Sequence, residues 1–492
     1  MTEPTPMLMA AVTALLFGPL LTGLVVYLLP SRRLRDIGPV VLAIGLLGPL
    51  WHLGTEVVGA GPLVLALGGH FAPLGIELHV DGLALAMLWL TGIVALAVNV
   101  YVSASLPVDA HFPATGFRAL WLILWSGLNA LFMAADLFNI YVMLELTALA
   151  AVSLVVVSRG PEAVSAATRY FLFALAGSLF YLLGVALVYG QTGLLSLRVL
   201  ETSSWGGPVS LLALGLMTGG LAMKAALFPV HAWLPRAHAV APSAASAALS
   251  ALVAMAGAYL IIRLWLGPFA GHWPQALAQG MAALGTAGIV YGSIQALRQS
   301  RLKLVIAYST VAQLGYLLLI FPIASLLAWQ GVVYHALSHG LAKAAFFLAA
   351  GNIIHLLGND RLTSLSRRDH RLAGSVMVMA LSGISLSGLP PSGGFLGKWW
   401  LINAALESGQ WWWALAAAAG GLLAAAYVFR VLRHALAEPH PDAARDAPIA
   451  DNLPRRMFWP PMLLALGAVA LGFAGQLLSP VIRIGLPTGV GG

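Results

Sequence analysis

Between Gly331 and Phe347, His335, His339 and Lys343 recur every four residues. On a helix rising about 1.5 Å per residue, they form a stripe roughly 12 Å long on one face. Imidazoles and amines can take up and release protons. The remainder of the segment, out to Leu357, is almost wholly apolar, and ionisable groups there are costly without water or a partner. A proton or ion path is therefore the first expectation. No carboxylate or thiolate accompanies the stripe at ligand spacing, so it does not read as a metal site.

The other ionisable groups sharpen this expectation. The chain holds 21 arginines but only four lysines, and Lys224, Lys343 and Lys398 lie inside apolar runs. Arginine stays protonated, whereas a desolvated lysine can switch. The competing reading is that these lysines snorkel to an interface. Among 17 carboxylates only Glu145 lies well inside an apolar run, and Lys224 is its expected partner, since a lone carboxylate facing lipid would be very unfavourable. A structural ion pair that never titrates is the alternative. His231 and His238 lie near an expected helix end, where they either cap it or serve proton uptake.

Elements that position such groups must cross a bilayer. With 60% hydrophobic and 9% charged residues in 492, and a mean hydropathy of +0.90, the chain does not have the composition of a soluble globule. It reads as an all-α polytopic membrane protein, without the cysteines a disulfide framework or thiolate-held cluster needs. Neither a Walker A nor a strand-linked GxGxxG is found, so any energy source lies in a gradient or a partner chain. The formal charge of +8 reflects loop arginines and membrane topology, not nucleic-acid binding.

Apolar runs mark fourteen spans, near residues 8–29, 38–58, 82–105, 117–136, 137–158, 169–190, 208–229, 242–265, 277–297, 304–322, 323–357, 372–408, 410–433 and 459–480. The first is not read as a cleaved signal, because no basic n-region precedes it. Odd-numbered loops carry 19 of the 25 basic residues, Lys303 among them, while even-numbered loops and the C-terminus carry Arg198, Arg263 and Arg483. This bias places both termini on the non-cytoplasmic side of a bacterial-type inner membrane.

Two spans are interrupted, one around Pro229 and Pro235, the other around Pro390 and Pro391. Proline breaks a helix, which inside a bilayer is tolerated where the backbone is covered by protein or lines a wet cavity. Each break has a lysine nearby, and paired broken helices point to repeated transporter halves. The expected organisation is N-terminal helices over 1–116, a first five-helix half over 117–267, a second over 268–433, and a cytoplasmic loop with a final helix over 434–492. Helices 7 and 12 are the broken ones. Other features read plainly: His52, His70, His79, His111, His272, His370, His434 and His440 lie in or near loops, and Trp399, Trp400, Trp411, Trp412, Trp413 and Trp459 suit an interfacial belt.

The runs Asp136 to Glu145, Lys224 to Pro235, Ala307 to Tyr316, His335 to Lys343, and Gly388-Leu389-Pro390-Pro391 on to Lys398 resemble the antiporter-like subunits shared by respiratory complex I, membrane-bound hydrogenases and Mrp-type sodium/proton antiporters. The resemblance spans roughly residues 80 to 435. It implies a fourteen-helix core of two inverted five-helix repeats with a hydrated polar axis. By position, Glu145 and Lys224 resemble the family's first-half pair, Lys343 with His335 and His339 its central and second-half relay, and Lys398 its terminal lysine. Met255 stands where many relatives have a lysine, and Arg236 where an Asp is common. The lack of a long C-terminal extension argues for a D-like or middle-type member.

The expected function is proton conduction within a multisubunit Na+/proton antiporter, among other integral membrane subunits and without cofactor or metal. Alternatives are the same conduit in a redox-driven complex of the NADH:quinone oxidoreductase or hydrogenase type, a structural anchor, or the membrane component of an inorganic-carbon uptake system. No redox or hydrolytic centre is read in this chain, so catalysis would belong to partners.

Overall fold

A computed structural model of the chain describes residues 5–28, 31–70, 72, 75–105, 114–366, 370–437 and 452–491. Runs rich in Leu, Ala, Val and Gly form helices throughout, because a helix satisfies its own backbone where water is absent. The first two spans are α1 (Pro6–Leu28) and the consecutive α2 (Arg32–Gly45) and α3 (Leu47–Ala60). A hairpin of β1 (Leu63–Leu67) and β2 (Ile76–Val80) follows, a short insertion in an otherwise all-α bundle. Its strands pair antiparallel with Leu65 opposite Leu78, both buried beneath the bundle.

Next come α4 (Gly82–Ser105), α5 (Ala114–Met133), α6 (Leu137–Val156), α7 (Pro161–Thr192) and the short α8 (Leu197–Thr202). The seventh span is α9 (Pro208–Ala225), a break, and α10 (Trp233–Val240). The eighth runs through α11 (Ser243–Ala248), a π-helical turn at Leu249–Val253, and α12 (Ala254–Leu266). Beyond it lie α13 (Gln275–Arg298), α14 (Leu302–Gly315), α15 (Ile320–Ile323) and α16 (Leu326–Leu357). The twelfth span is α17 (Ala373–Ser387) and α18 (Gly393–Glu407). The chain closes with α19 (Trp411–Leu436), α20 (Arg455–Ala470) and α21 (Gly475–Ile482).

Among the described residues, 13 helices are long and apolar enough to cross a membrane. The span expected over 372–408 is not among them, because its break leaves two helices of 15 residues each. Fourteen crossings result. Long-range bonds agree with that alternation: Arg301 pairs with Asp360, and Arg430 reaches the Gln299 carbonyl, both joining odd-numbered loops. On the opposite face Arg263 pairs with Asp81, and Gln275 and Gln410 both donate to the Pro322 carbonyl.

The centre of the bundle is α16, buried along nearly its whole length and packed against α4, α11, α14, α17, α18 and α20. Close approach depends on paired glycines. A Cβ on Gly220 of α9 would collide with the Gly177 carbonyl of α7, and one on Gly397 of α18 with the Gly331 carbonyl of α16. Residues His111 and His440 and most of the cytoplasmic loop expected from residue 434 onward lie outside the described residues. His52 is not near a loop: it sits within the second span, on α3.

Candidate functional site

Lys224 occupies the last turn of α9, immediately before the chain leaves the helix at Ala226, whose φ is 53°. Its ammonium lies 3.2 Å from Glu145 Oε1 on α6 and 3.3 Å from the Leu144 carbonyl. Ser178 of α7 donates to the same carboxylate. The Gly177 and Gly220 contact holds α7 close against α9, and α7 packs on α6 as well. Lys224 is 7% exposed and Glu145 26%, so the pair is closed off on the lysine side and opens toward the perimeter through the carboxylate. A cavity of about 20 Å³ touches Lys224 between Leu144, Thr147, Tyr170 and Gly257, room for about one water.

The second group is built on α16. Its three predicted residues are fully enclosed, with Lys343 0% exposed. Lys343 donates to the Ile306 carbonyl at 2.8 Å and to the Ser309 hydroxyl on α14. One turn away, the His339 ring has no well-formed hydrogen bond at either nitrogen, although the Ser250 backbone of the π-helical turn faces it. His335 stacks against His339 with ring centroids 6.2 Å apart, and its Nε2 lies 3.0 Å from the Gln313 carbonyl. A π-helical turn inside an α-helix is frequent at functional sites. Here it also brings Ser250 within 2.8 Å of Thr310.

Lys398 extends this group across the second break. The α17 half-helix ends at Gly388, φ 77°, leaving C-terminal carbonyls without helical partners. Lys398 of α18, 4% exposed, donates to one of them, Leu386, at 2.6 Å and lies 4.5 Å from the Tyr316 ring centroid. A cation suits such a helix end. The Gln313 side chain donates to the same Leu386 carbonyl at 3.2 Å and to the Tyr427 hydroxyl of α19 at 3.1 Å. Thus His335, Gln313, Leu386 and Lys398 are joined by hydrogen bonds through one residue. The two lysines fall on opposite sides of their breaks: Lys224 precedes its break and Lys398 follows its own.

His238 and His231 diverge. His238, on α10, stacks on Phe347 of α16 at 4.6 Å, has no hydrogen-bond partner at either ring nitrogen, and lies within range of the charges of Lys303 and Lys343. It therefore belongs with the α16 group. His231 packs on Tyr291 and Phe228 and joins neither group. The segment that carries Ser246 and Ser250, both buried, packs against α6 on one side and α16 on the other, while Met255 lies on α12, which packs against α9.

Three contributors escaped the sequence reading. Ser178 is one of many serines in apolar helices, and nothing in its surroundings marked it. Tyr427 is an isolated hydroxyl in an alanine-rich run. Lys303 was counted with the loop arginines because Arg301 stands two residues away; in the fold it lies on the first turn of α14 and is buried. Arg263 was likewise counted as a loop residue, yet it belongs to α12, where its Nη2 lies 2.6 Å from Asp81 Oδ1.

At the ends of the spans, on the face opposite the arginine-rich one, a cavity of about 210 Å³ is lined by Glu77, His79, Arg198, Glu201 and Arg263. Burial alone would raise the Asp81 carboxyl, but the Arg263 guanidinium outweighs it and holds Asp81 below the usual carboxylate range. Burial lowers His79 from the ordinary imidazole value and raises Glu201 from the ordinary carboxylate value. This cluster touches none of the eight sequence-predicted site residues. Among the described residues no group of three or more His, Cys, Asp or Glu is placed to hold a metal ion.

Residues 134–424 match the family described as NADH:quinone oxidoreductase/Mrp antiporter, transmembrane. The chain is 34% identical over 450 residues to the N subunit of NADH-quinone oxidoreductase of Desulforudis audaxviator, covering 88% of this chain and 89% of that protein. It is 26% identical over 484 residues to the D-type component of the Na+/H+ antiporter of Bacillus subtilis, covering 97% and 94%. In three dimensions it is similar to a chain of the Mrp complex from Dietzia sp. DQ12-45-1b, with a TM-score of 0.89 and 25% identity over 98% of this chain and 99% of that one.

Proposed function

We propose, for a chain that belongs to the NADH:quinone oxidoreductase/Mrp antiporter family of membrane subunits, that it is the proton-conducting subunit of a multisubunit monovalent cation/proton antiporter. The observation that carries this reading is the set of buried amines: Lys224 with one countercharge, Lys343 and Lys398 with only neutral partners. Groups so costly to bury are kept where they carry protons or ions. Glu145, Lys224, His238, His335, His339, Lys343 and Lys398 are the proton-carrying residues of this scheme. His231, packed on Tyr291 away from both groups, is assigned to the first break and not to the axis.

Lys224 holds its proton while Glu145 is beside it. At 3.2 Å and an effective dielectric near 20, the pair interacts by about 5 kcal/mol before desolvation is counted. Separation of the pair releases the proton through water toward His339 and Lys343, and Gln313 couples His335 to Lys398. Two halves, 117–267 and 268–433, fit the packing: α5–α6, α6–α7, α7–α9 and α9–α12 contacts recur as α13–α14, α14–α16, α16 with α17 and α18, and those two with α19. The glycine pairs at α7–α9 and α16–α18 recur likewise. The partners are other integral membrane subunits, the site is the cell membrane, and the arginine-rich face is cytoplasmic, with both termini opposite.

The similarity in shape to the Mrp complex favours the antiporter. A second reading, the same conduit in a redox-driven proton pump, is favoured by the 34% identity to an NADH-quinone oxidoreductase component. Sodium and proton flux of the intact complex in vesicles, with and without an electron donor, separates them. Exchange of Na+ for protons without a donor supports the antiporter; flux that requires the donor supports the pump and overturns the leading reading.

A further inference from the structure

We propose that Lys303 is the amine through which protons pass from the arginine-rich face to the buried axis, by way of His238. This inference rests on the conduit reading above and assigns its aqueous inlet.

Lys303 is buried on the first turn of α14. Its ammonium donates to the Ala241 carbonyl at the end of α10. A cavity of about 620 Å³ reaches it from the arginine-rich face, lined also by Ser243, Gly351, His355 and Asp360. That space has both polar and apolar walls, with Asn359 and Asp360 among the polar ones, and is large enough for a cluster of waters. Three residues before Ala241 is His238, fully enclosed, with neither ring nitrogen hydrogen-bonded and with Lys303 and Lys343 both within charge range. A buried imidazole with two unsatisfied nitrogens between two amines is what a relay needs: it accepts a proton on one nitrogen and gives one up from the other. The path thus runs from cavity water to Lys303, His238 and Lys343, on α14, α10 and α16. The charged groups facing Lys303 are Arg301 and Asp360 from the loops beside it, and His355 on α16 shares its cavity.

A purely structural role is the competing account, since a cation caps carbonyls at a helix end. Arg301 already holds that end: its Nη2 donates to the Ala239 carbonyl at 3.2 Å while its Nε pairs with Asp360. A cap alone would work equally well with arginine at position 303. Arginine keeps its proton, so it separates capping from transfer.

The test uses the intact complex in vesicles. Lys303→Arg is expected to assemble normally and lower proton flux by about tenfold or more. Because this chain lacks cysteine, Ser243→Cys offers an independent arm. A membrane-impermeant cationic thiol reagent should label it from the arginine-rich face and lower flux by about tenfold relative to the unlabelled variant. Lys303→Arg with flux within about twofold of wild type, while Lys224→Arg is impaired, overturns the inlet but leaves the conduit standing. Loss of neither activity overturns the conduit reading itself. If Lys303→Arg does not assemble, complete labelling at Ser243→Cys without loss of flux overturns the inlet.

Discussion

Lys224 and Glu145 form an ion pair across α6 and α9, Nζ to Oε1 3.2 Å, and it is the carboxylate that stays open to the perimeter. In the second half, Lys343 and Lys398 instead donate to carbonyls and a hydroxyl, and among the described residues neither forms an ion pair. Removing one partner leaves the other partly buried and unpaired. Glu145→Gln is therefore expected to lower stability by about 3 kcal/mol, and the double variant Glu145→Gln with Lys224→Met to recover most of it without recovering flux. Thermal unfolding of the detergent-solubilised complex with flux measured in parallel checks this; recovery of both properties in the double variant would mean the pair is structural.

Gly388 ends α17 with φ 77°, and a Cβ there would stand 2.7 Å from Lys398 Cδ. Gly388→Ala is thus strained twice, in backbone and in the packing of Lys398. The expected cost is about 1–2 kcal/mol in stability, with a loss of flux larger than stability alone explains. Comparison with Gly409→Ala, also at positive φ but with nothing within 4 Å, isolates the Lys398 contribution. Equal flux in the two variants would show that Lys398 placement is not limiting.

Tyr427 accepts a hydrogen bond from Gln313, which in turn donates to the carbonyl shared with Lys398. Tyr427→Phe removes the hydroxyl with little change of shape, at an expected cost of about 1 kcal/mol. Flux should fall several-fold, through loosening of Gln313. Unchanged flux and unchanged stability together would remove Tyr427 from the account.

Stability should also depend on pH through the loop cluster. His79 is pushed below the ordinary imidazole value chiefly by burial, with Asp81 opposing and Arg263 and Arg198 reinforcing. A group whose folded value is depressed contributes fully above its unfolded value, about pH 6.5, and loses that contribution as pH falls. Asp81, held low by Arg263 against its burial, acts in the same sense only below about pH 4. The melting temperature should therefore drop between about pH 7 and pH 5, and His79→Gln should flatten that slope. An identical slope in the variant contradicts the assignment.

The helical crossings and both breaks were legible because membrane spans are long apolar runs and proline marks interruptions directly. Lysines stood out for the same reason: Lys224, Lys343 and Lys398 are charged residues in apolar surroundings. Lys303 did not, because its neighbour Arg301 made the region look like a loop, and only the fold places its side chain under α10. The hairpin of β1 and β2 was missed since Leu63–Leu67 and Ile76–Val80 are too short to separate by periodicity from loop. Ser178, Gln313 and Tyr427 act through partners far away in sequence, and no local pattern reports such pairing.

The most direct measurement is proton flux through the intact complex carrying Lys224→Arg, Lys343→Arg or Lys398→Arg, each shown to assemble. Arginine keeps the charge and withholds the proton, so every one of the three should lower flux by about tenfold or more. Flux within about twofold of wild type in all three would contradict a proton path along these amines.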